Sequence, residues 1–332
     1  MSQAQAKLLR EPADDLAALL KAAGDSLRLQ VLRALSNDSF GVLELAQIFA
    51  TGQSGMSHHL KVLAQADLVA TRREGNAIFY RRALAQSALH SALFEEVDQL
   101  DLPTELQARI SAVHSQRAEA SRDYFARNAD KFQAQQDLIA GLPQYRDSVL
   151  TLLDALNLAP SACALEVGPG DGSFLVELAK RFKKVTALDN SPAMLELARL
   201  RCAEQGLNNV ELKLADALHD ELDAADCVVV NMVLHHFAAP ATALQQLARL
   251  VLPGGSLLIT ELCSHDQIWT RQACGDLWLG FEQDELSHWA SAAGLVAGES
   301  LYIGLKNGFQ IQARHFAKPD TKHLQTSTGL IP

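Results

Sequence analysis

Apolar positions in the first hundred residues recur with a helical period. Leu16, Leu19, Leu20 and Ala23 follow i, i+3, i+4, i+7, and Leu27, Val31 and Leu35 repeat the pattern after a Gly24-Asp25 break. Asp25 stands where a helix N-cap is needed. A short helix over Val42 to Phe49, the tight turn Ala50-Thr51-Gly52, and a new helix from Gln53 with Met56, Leu60 and Leu63 on one face predict a helix, turn, helix unit. Residues 68–82, LVATRREGNAIFYRR, read as two β-rich runs around Glu74-Gly75-Asn76, whose Gly and Asn tolerate the positive φ of a hairpin turn. Residues 83–140 lack strand patterns and glycine and break only at Pro103, so they read as connecting helices.

From Tyr145 the pattern changes. A helix with Val149, Leu152, Leu153 and Leu156 on one face leads through Pro160 into strands that alternate with helices: ALEV, VTAL, VELKL and DCVVV. After Pro253-Gly254-Gly255 come SLLITEL, a helix near 283–293, and two β-rich runs at 295–303 and 309–316 that close as a hairpin. Such alternation predicts an α/β, doubly wound parallel sheet. The tail from Lys318 is polar and reads as frayed.

With 332 residues, 48% hydrophobic and 20% charged, the chain is long enough for two cores and too apolar for disorder. Its five cysteines, Cys163, Cys202, Cys227, Cys263 and Cys274, are odd in number and contain no CxxC pair, which reads as reduced thiols and a cytoplasmic protein. The start, MSQAQAKLLREPADD, has no apolar leader core, and no run approaches the roughly 18 apolar residues of a membrane span. The net charge of −10 argues against a nucleic-acid partner, but its distribution reverses that reading. Residues 53–82 set Lys61, Arg72, Arg73, Arg81 and Arg82 against Asp67 and Glu74, a local basic patch.

The sharpest chemical signal is Leu165-Glu166-Val167-Gly168-Pro169-Gly170-Asp171-Gly172, an acidic strand end followed by alternate glycines. Such glycines let backbone pass close under a ligand. The spacing is G-x-G-x-G, not the G-x-G-x-x-G of dinucleotide sites, and points to a small adenosine compound. Asp189 ends the next strand, where a carboxylate accepts from ribose hydroxyls; Asp216 follows the third strand and Asn231 to His236 the fourth. Each has a plainer reading as a cap, a turn residue or packing, but four in register favour a site.

The motifs EVGPGDG, LDNSPAML, LADAL, DCVVVNMVLHHF and LPGGSLLI occur in the order seen in class I S-adenosylmethionine (SAM) dependent methyltransferases, which this half resembles. The resemblance implies that Glu166, Gly168, Gly170 and Gly172 line the amino-acid end of SAM or S-adenosylhomocysteine (SAH), Asp189 the ribose, and Met194 and Asp216 the adenine. Asp171, Asn190, Ala217 and Asn231 join that set, with Tyr124 as a lid. The first half, through ELAQIF, SGMSHHLKVL and LVATRREGNAIFYRR, resembles an ArsR-type winged helix-turn-helix. In that geometry Gln53, Ser54, Gly55, Ser57, His58, His59 and Lys61 face double-stranded operator DNA, with His59 also placed to pack, and Arg72 and Arg73 reach phosphates or the minor groove. The expected division is residues 1–100 for DNA binding and dimerisation, 101–159 as helical connector, 160–317 as the Rossmann-like domain, and 318–332 as tail.

Related repressors ligate metal through a Cys-x-Cys pair; Gly41 and Leu43 stand at those positions, and His90 has only Glu95 and Glu96 near it. No metal site is expected. The resemblance therefore implies a homodimeric repressor that senses SAH or SAM and has no membrane association. The competing reading is a small-molecule methyltransferase whose winged helix serves dimerisation or autoregulation, with His235, His236 or Glu261 available as a base. Asp266, Arg271 and Trp278, in residues 264–281, are candidates for an acceptor lid or for packing.

Overall fold

The computed structural model describes residues 12–74 and 77–320. The chain divides into two compact units, Met1–Gln116 and Arg117–Pro332.

In the first unit, α1 (Pro12–Ala23) and α2 (Ser26–Ala34) are separated at the expected break. The Asp25 carboxylate accepts from the Arg28 backbone N–H at 3.0 Å and caps α2. β1 (Phe40–Gly41) precedes α3 (Val42–Ile48), and α4 (Gln53–Gln65) follows the turn. Ala50 turns the chain at a φ of 51°, a left-handed conformation unusual for a residue with a Cβ. The Thr51 N–H donates to the Ala46 carbonyl at 2.9 Å and helps hold that turn. Leu45, Ile48, Met56, Leu60 and Leu63 are fully buried together with Phe40, Leu32 and Leu35, so the core lies between α2, α3 and α4.

The strands β2 (Val69–Glu74) and β3 (Ala77–Arg82) pair antiparallel, Val69 opposite Arg82 and Glu74 opposite Ala77, and β1 adds to β3 as a third strand. The turn residues Gly75-Asn76 lie outside the described residues. The connector forms α5 (Ala88–Asp98), α6 (Thr104–Asn128) and α7 (Phe132–Ile139), with a 3-10 turn between the last two.

The second unit is built on a seven-stranded sheet. α8 (Leu142–Ala155) leads into β4 (Cys163–Val167), α9 (Leu175–Arg181), β5 (Lys184–Asp189), α10 (Pro192–Glu204), β6 (Val210–Leu214) and β7 (Ala225–Asn231). Then come α11 (Pro240–Arg249), β8 (Val251–Leu262), α12 (Trp269–Ala273), α13 (Gln283–Ala292), β9 (Val296–Gly304) and β10 (Gln310–Ala317). The order is β6-β5-β4-β7-β8-β10-β9, parallel from β6 through β8, with β10 antiparallel to both its neighbours. Strand order reverses at β4, which pairs with both β5 and β7, and a crevice opens at such a switch point beyond the strands' carboxyl ends.

Val228, Val229 and Val230 are all fully buried, which matches their continuous apolar run, because helices cover both faces of a parallel sheet. Two local expectations change. β8 starts at Val251 and runs through Pro253-Gly254-Gly255, with a register shift between Ala225 and Cys227 of β7. Lys318 is anchored, not frayed: its Nζ donates to the carbonyls of Ala248 (2.9 Å) and Val251 (2.7 Å). Residues 321–332 of the expected tail lie outside the described residues.

Candidate functional site

In the second unit, one cavity of about 420 Å³ opens at the switch point. Glu166, Gly168, Gly170, Asp171, Asp189, Asn190, Met194, Asp216, Ala217 and Asn231 line it, so ten residues named from four separate strand ends converge. Glu166 is 1% exposed; its Oε1 accepts from Asn231 Nδ2 at 3.4 Å. Its Oε2 and the Asn231 Oδ1 are buried with no hydrogen-bond partner among the described residues. Burial pushes the Glu166 carboxyl up to about 8, with Asp171 adding to the shift and Asn231 opposing it. Burial likewise raises Asp189 to about 6 against the N–H groups of Ser191 and Asn190. Its Oδ1 accepts from Ser191 N at 2.8 Å, while Ser191 itself caps α10, so Asp189 combines a turn role with a place on the wall.

The glycines are required by close approach. Gly168 has a φ of 66°, and a Cβ there would meet Val233 Cγ2 at 2.7 Å; a Cβ on Gly170 would meet the Phe132 ring at 2.9 Å. Gly172 does not line the cavity. A Cβ there would sit 3.0 Å from Ala198 Cα, so this glycine serves the packing of α10 against the loop.

Three further assignments change on geometry. Tyr124 is not on the cavity wall: its hydroxyl donates to the Ala273 carbonyl and its ring covers Gly275. Phe125 and Phe132 supply the aromatic wall instead, with Tyr145 from α8 beside Glu166. Asp171 is engaged by Ser173 N, Ser173 Oγ and Arg201 Nη2 at 3.0, 2.7 and 2.7 Å, and so fastens the loop to α10. Asp216 Oδ1 accepts from Leu218 N at 2.9 Å and Oδ2 lies 3.1 Å from His219 Nδ1, which makes its carboxylate chiefly a turn cap. Phe125, Phe132 and Tyr145 carry no motif; their only signal was aromaticity in the helices preceding β4.

Of the base candidates, His236 lines the cavity, whereas His235 and Glu261 are buried outside its wall and paired with each other. Trp278 is buried, donating to the Phe237 carbonyl at 2.8 Å beneath the Arg117 guanidinium, and Arg271 donates to the Leu277 carbonyl at 2.7 Å. Arg271 and Trp278 thus serve packing here, while Asp266 is exposed.

In the first unit, Gln53, Ser54, Gly55, Ser57, His58 and Lys61 are exposed on α4 while Met56, Leu60 and Leu63 are sealed beneath. His59 is half-buried, its Nδ1 3.9 Å from Asp25 Oδ1. Arg73 is exposed on β2 and Arg72 half-buried. The basic patch is smaller than its composition, because Arg82 is held bidentate by Asp98 at 2.6 and 2.9 Å. His90 is buried, with Nδ1 accepting from Gln86 N at 3.4 Å, while Glu95 and Glu96 are exposed.

No helix among the described residues is long and apolar enough to cross a membrane. Residues 165–259 match the family described as a methyltransferase domain, and residues 23–72 match a helix-turn-helix domain. An uncharacterized methyltransferase of Mycobacterium tuberculosis (strain ATCC 25618 / H37Rv) is 40% identical over 110 residues, 32% of this chain and 54% of that protein. A ubiquinone biosynthesis O-methyltransferase of Alkalilimnicola ehrlichii is 32% identical over 151 residues, 40% of this chain and 60% of that protein. The match thus spans about half the length of the mycobacterial relative. Magnesium protoporphyrin IX methyltransferase from Synechocystis PCC 6803, solved with bound SAH, superimposes with a TM-score of 0.50 at 18% identity, covering 61% of this chain and 99% of that chain, and shares the fold. The chain therefore joins a helix-turn-helix domain to a Rossmann-like methyltransferase domain.

Proposed function

We propose that this protein is a homodimeric transcriptional regulator that binds operator DNA through α4 and the β2–β3 wing and senses SAH or SAM in the cavity beside β4. The division of labour is residues 1–100 for DNA and dimerisation, 101–159 as connector and 160–317 for the ligand. The observation that carries the reading is the split of α4: three apolar residues sealed in the core, and a continuous set of polar and small residues presented to solvent. Were α4 itself at the centre of a homodimer contact, its outward face would be more apolar and less charged than it is.

The cavity supports an adenosyl amino-acid ligand on its own chemistry. Glu166 Oε2 and Asn231 Oδ1 are buried acceptors awaiting a donor, which an α-amino group supplies. A cation beside Glu166 favours its charged form and so offsets the burial that raises its pKa. Asp189 offers its carboxylate to vicinal hydroxyls, and the buried Met194 and Ala217 provide an apolar seat for a base. When bound, SAM differs from SAH by a methyl group and a sulfonium charge. To switch DNA affinity the ligand must bind two states unequally, with roughly 1–3 kcal/mol of coupling, or about 5–150-fold in operator affinity.

The second reading, an active methyltransferase, is supported by the polar side chains Ser121, Gln133 and Gln136 on the same cavity wall, beyond those assigned to the adenosyl ligand. Fluorescence anisotropy on the chain's own upstream DNA, with and without SAH or SAM, decides between them. A sequence-specific complex whose affinity shifts with ligand is expected. Absence of any specific complex, together with transfer of labelled methyl to an acceptor, would replace the regulator reading by the enzyme.

A further inference from the structure

Beyond the cavity wall a second set of polar groups converges. His235 and His236 lie in a 3-10 turn after β7, Glu261 lies in β8, and Asp276 follows α12. His235, Glu261 and Asp276 are all at most 3% exposed. His235 Nδ1 lies 2.5 Å from Glu261 Oε1, and its Nε2 lies 3.6 Å from Asp276 Oδ1. An ionised carboxylate only accepts, so Nδ1 carries hydrogen and donates to Glu261. His236 Nδ1 is 3.2 Å from the Gly275 carbonyl oxygen, which selects the same tautomer. Each neutral ring is thereby left with its lone pair on Nε2.

One donor atom from each of His235, His236 and Asp276 lies within 4.8 Å of the other two. Both Asp276 oxygens are buried and accept no hydrogen bond among the described residues; the nearby Thr270 hydroxyl is committed to the Gln267 carbonyl at 3.2 Å. A cavity of about 30 Å³ adjoins the three residues, room for a water-sized ligand. His236 lines both this cavity and the larger one.

We propose that His235, His236 and Asp276 bind a divalent transition-metal ion of the zinc class, with Glu261 and the Gly275 carbonyl orienting the two rings. Two imidazoles and one carboxylate, with a position left for water, are the donor set of three-ligand zinc sites. Hard cations such as Ca2+ and Mg2+ prefer oxygen throughout. Donation of the remote ring N–H to a carboxylate or carbonyl is how ligating histidines are held, and here it occurs twice. A dication also answers the charge of two buried carboxylates. The site is separate from the adenosyl-ligand reading and is tested without that ligand.

The test uses the full chain dialysed against EDTA, titrated with Zn2+ by calorimetry and with Co2+ by visible d–d absorption. The native chain is expected to take up one equivalent and to gain thermal stability with Zn2+. His236→Gln and Asp276→Asn should each weaken uptake by roughly 100-fold or more and abolish the cobalt bands, and Glu261→Gln, acting from behind the ring, by about 10–100-fold. Circular dichroism establishes that each variant is folded; should Asp276→Asn not fold, the half-buried His236 position decides alone. Zinc uptake by the native chain no tighter than by folded His236→Gln overturns the site, as does a chain that takes up no zinc.

Discussion

Lys61 and His58 stand in water on a helix whose opposite face is sealed; Glu166, near the end of its strand, is sealed and Asp189, at the end of the next, half-buried. The two regions use polar side chains on opposite terms. On α4 the fold is carried by Met56, Leu60 and Leu63, so the outward residues are free to vary without loss of stability, and their charges act over a screened range of about 10 Å at 0.1 M salt. Beside β4 the carboxylates are part of the interior, where desolvation disfavours their charged forms. The first kind of site gives salt-dependent affinity; the second is least stable empty and gains most from the right ligand. Polar residues at a surface and at a strand end thus look alike in sequence and differ in energy.

The buried side should respond most strongly to substitution. Asp189→Ala removes a charged acceptor, with hydrogen bonds to charged groups worth about 1.5–3 kcal/mol, so SAH affinity should fall roughly 10–100-fold and the ligand-induced melting shift at a given SAH concentration should shrink accordingly. A shift as large as that of the native chain, read by differential scanning fluorimetry at the same SAH concentration, removes the ribose role. On the exposed side, Lys61→Ala and Arg73→Ala should each weaken DNA binding across sequences and lower the salt slope by about one, whereas His58→Ala should relax sequence preference. Titrations at several salt concentrations check this; an unchanged slope places these residues away from phosphates.

The pH response sharpens the contrast. Glu166 titrates near 8 when folded, against an ordinary 4.5. Between those values the folded chain holds a proton that the unfolded chain has released, so stability falls as pH rises through that window. Glu166→Gln should therefore melt with a flatter profile from about pH 5 to about pH 8 than the native chain in the absence of ligand. The smallest effect is local: Asp25→Ala removes the cap of α2 and should lower stability by about 1 kcal/mol, seen in denaturant midpoint with an unchanged m-value.

Much of this was legible in the chain. The helical period of Leu16 to Leu35 and of Met56, Leu60 and Leu63, the hairpin runs, and the strand-helix alternation after Pro160 all appear as elements in the structure. Glu166, Gly168, Gly170 and Asp189 could be named because strand-end chemistry leaves a local signature. Tyr124 was misplaced because nothing local distinguishes it from Phe125 or Phe132; the packing of Gly170 against Phe132, and of Gly275 against Tyr124, selects among them. Asp171 looked free because its partner Arg201, thirty residues on, cannot be paired with it by spacing alone, whereas the turn contacts of Asp216 with Leu218 and His219 are local and matched its plainer reading. Arg82 was counted in the basic patch for the same reason, its partner Asp98 lying in the following helix.

Which segments fold as helices or strands, where the chain divides in character, and which backbone positions tolerate no side chain can all be read along the chain, because periodicity and glycine spacing are properties of near neighbours. Which acids remain available, that β10 lies between β8 and β9, and that two adjacent histidines meet Asp276 from a distant loop emerge only on folding. Those outcomes depend on which side chains desolvate one another, and desolvation is set by contacts between residues far apart in the chain.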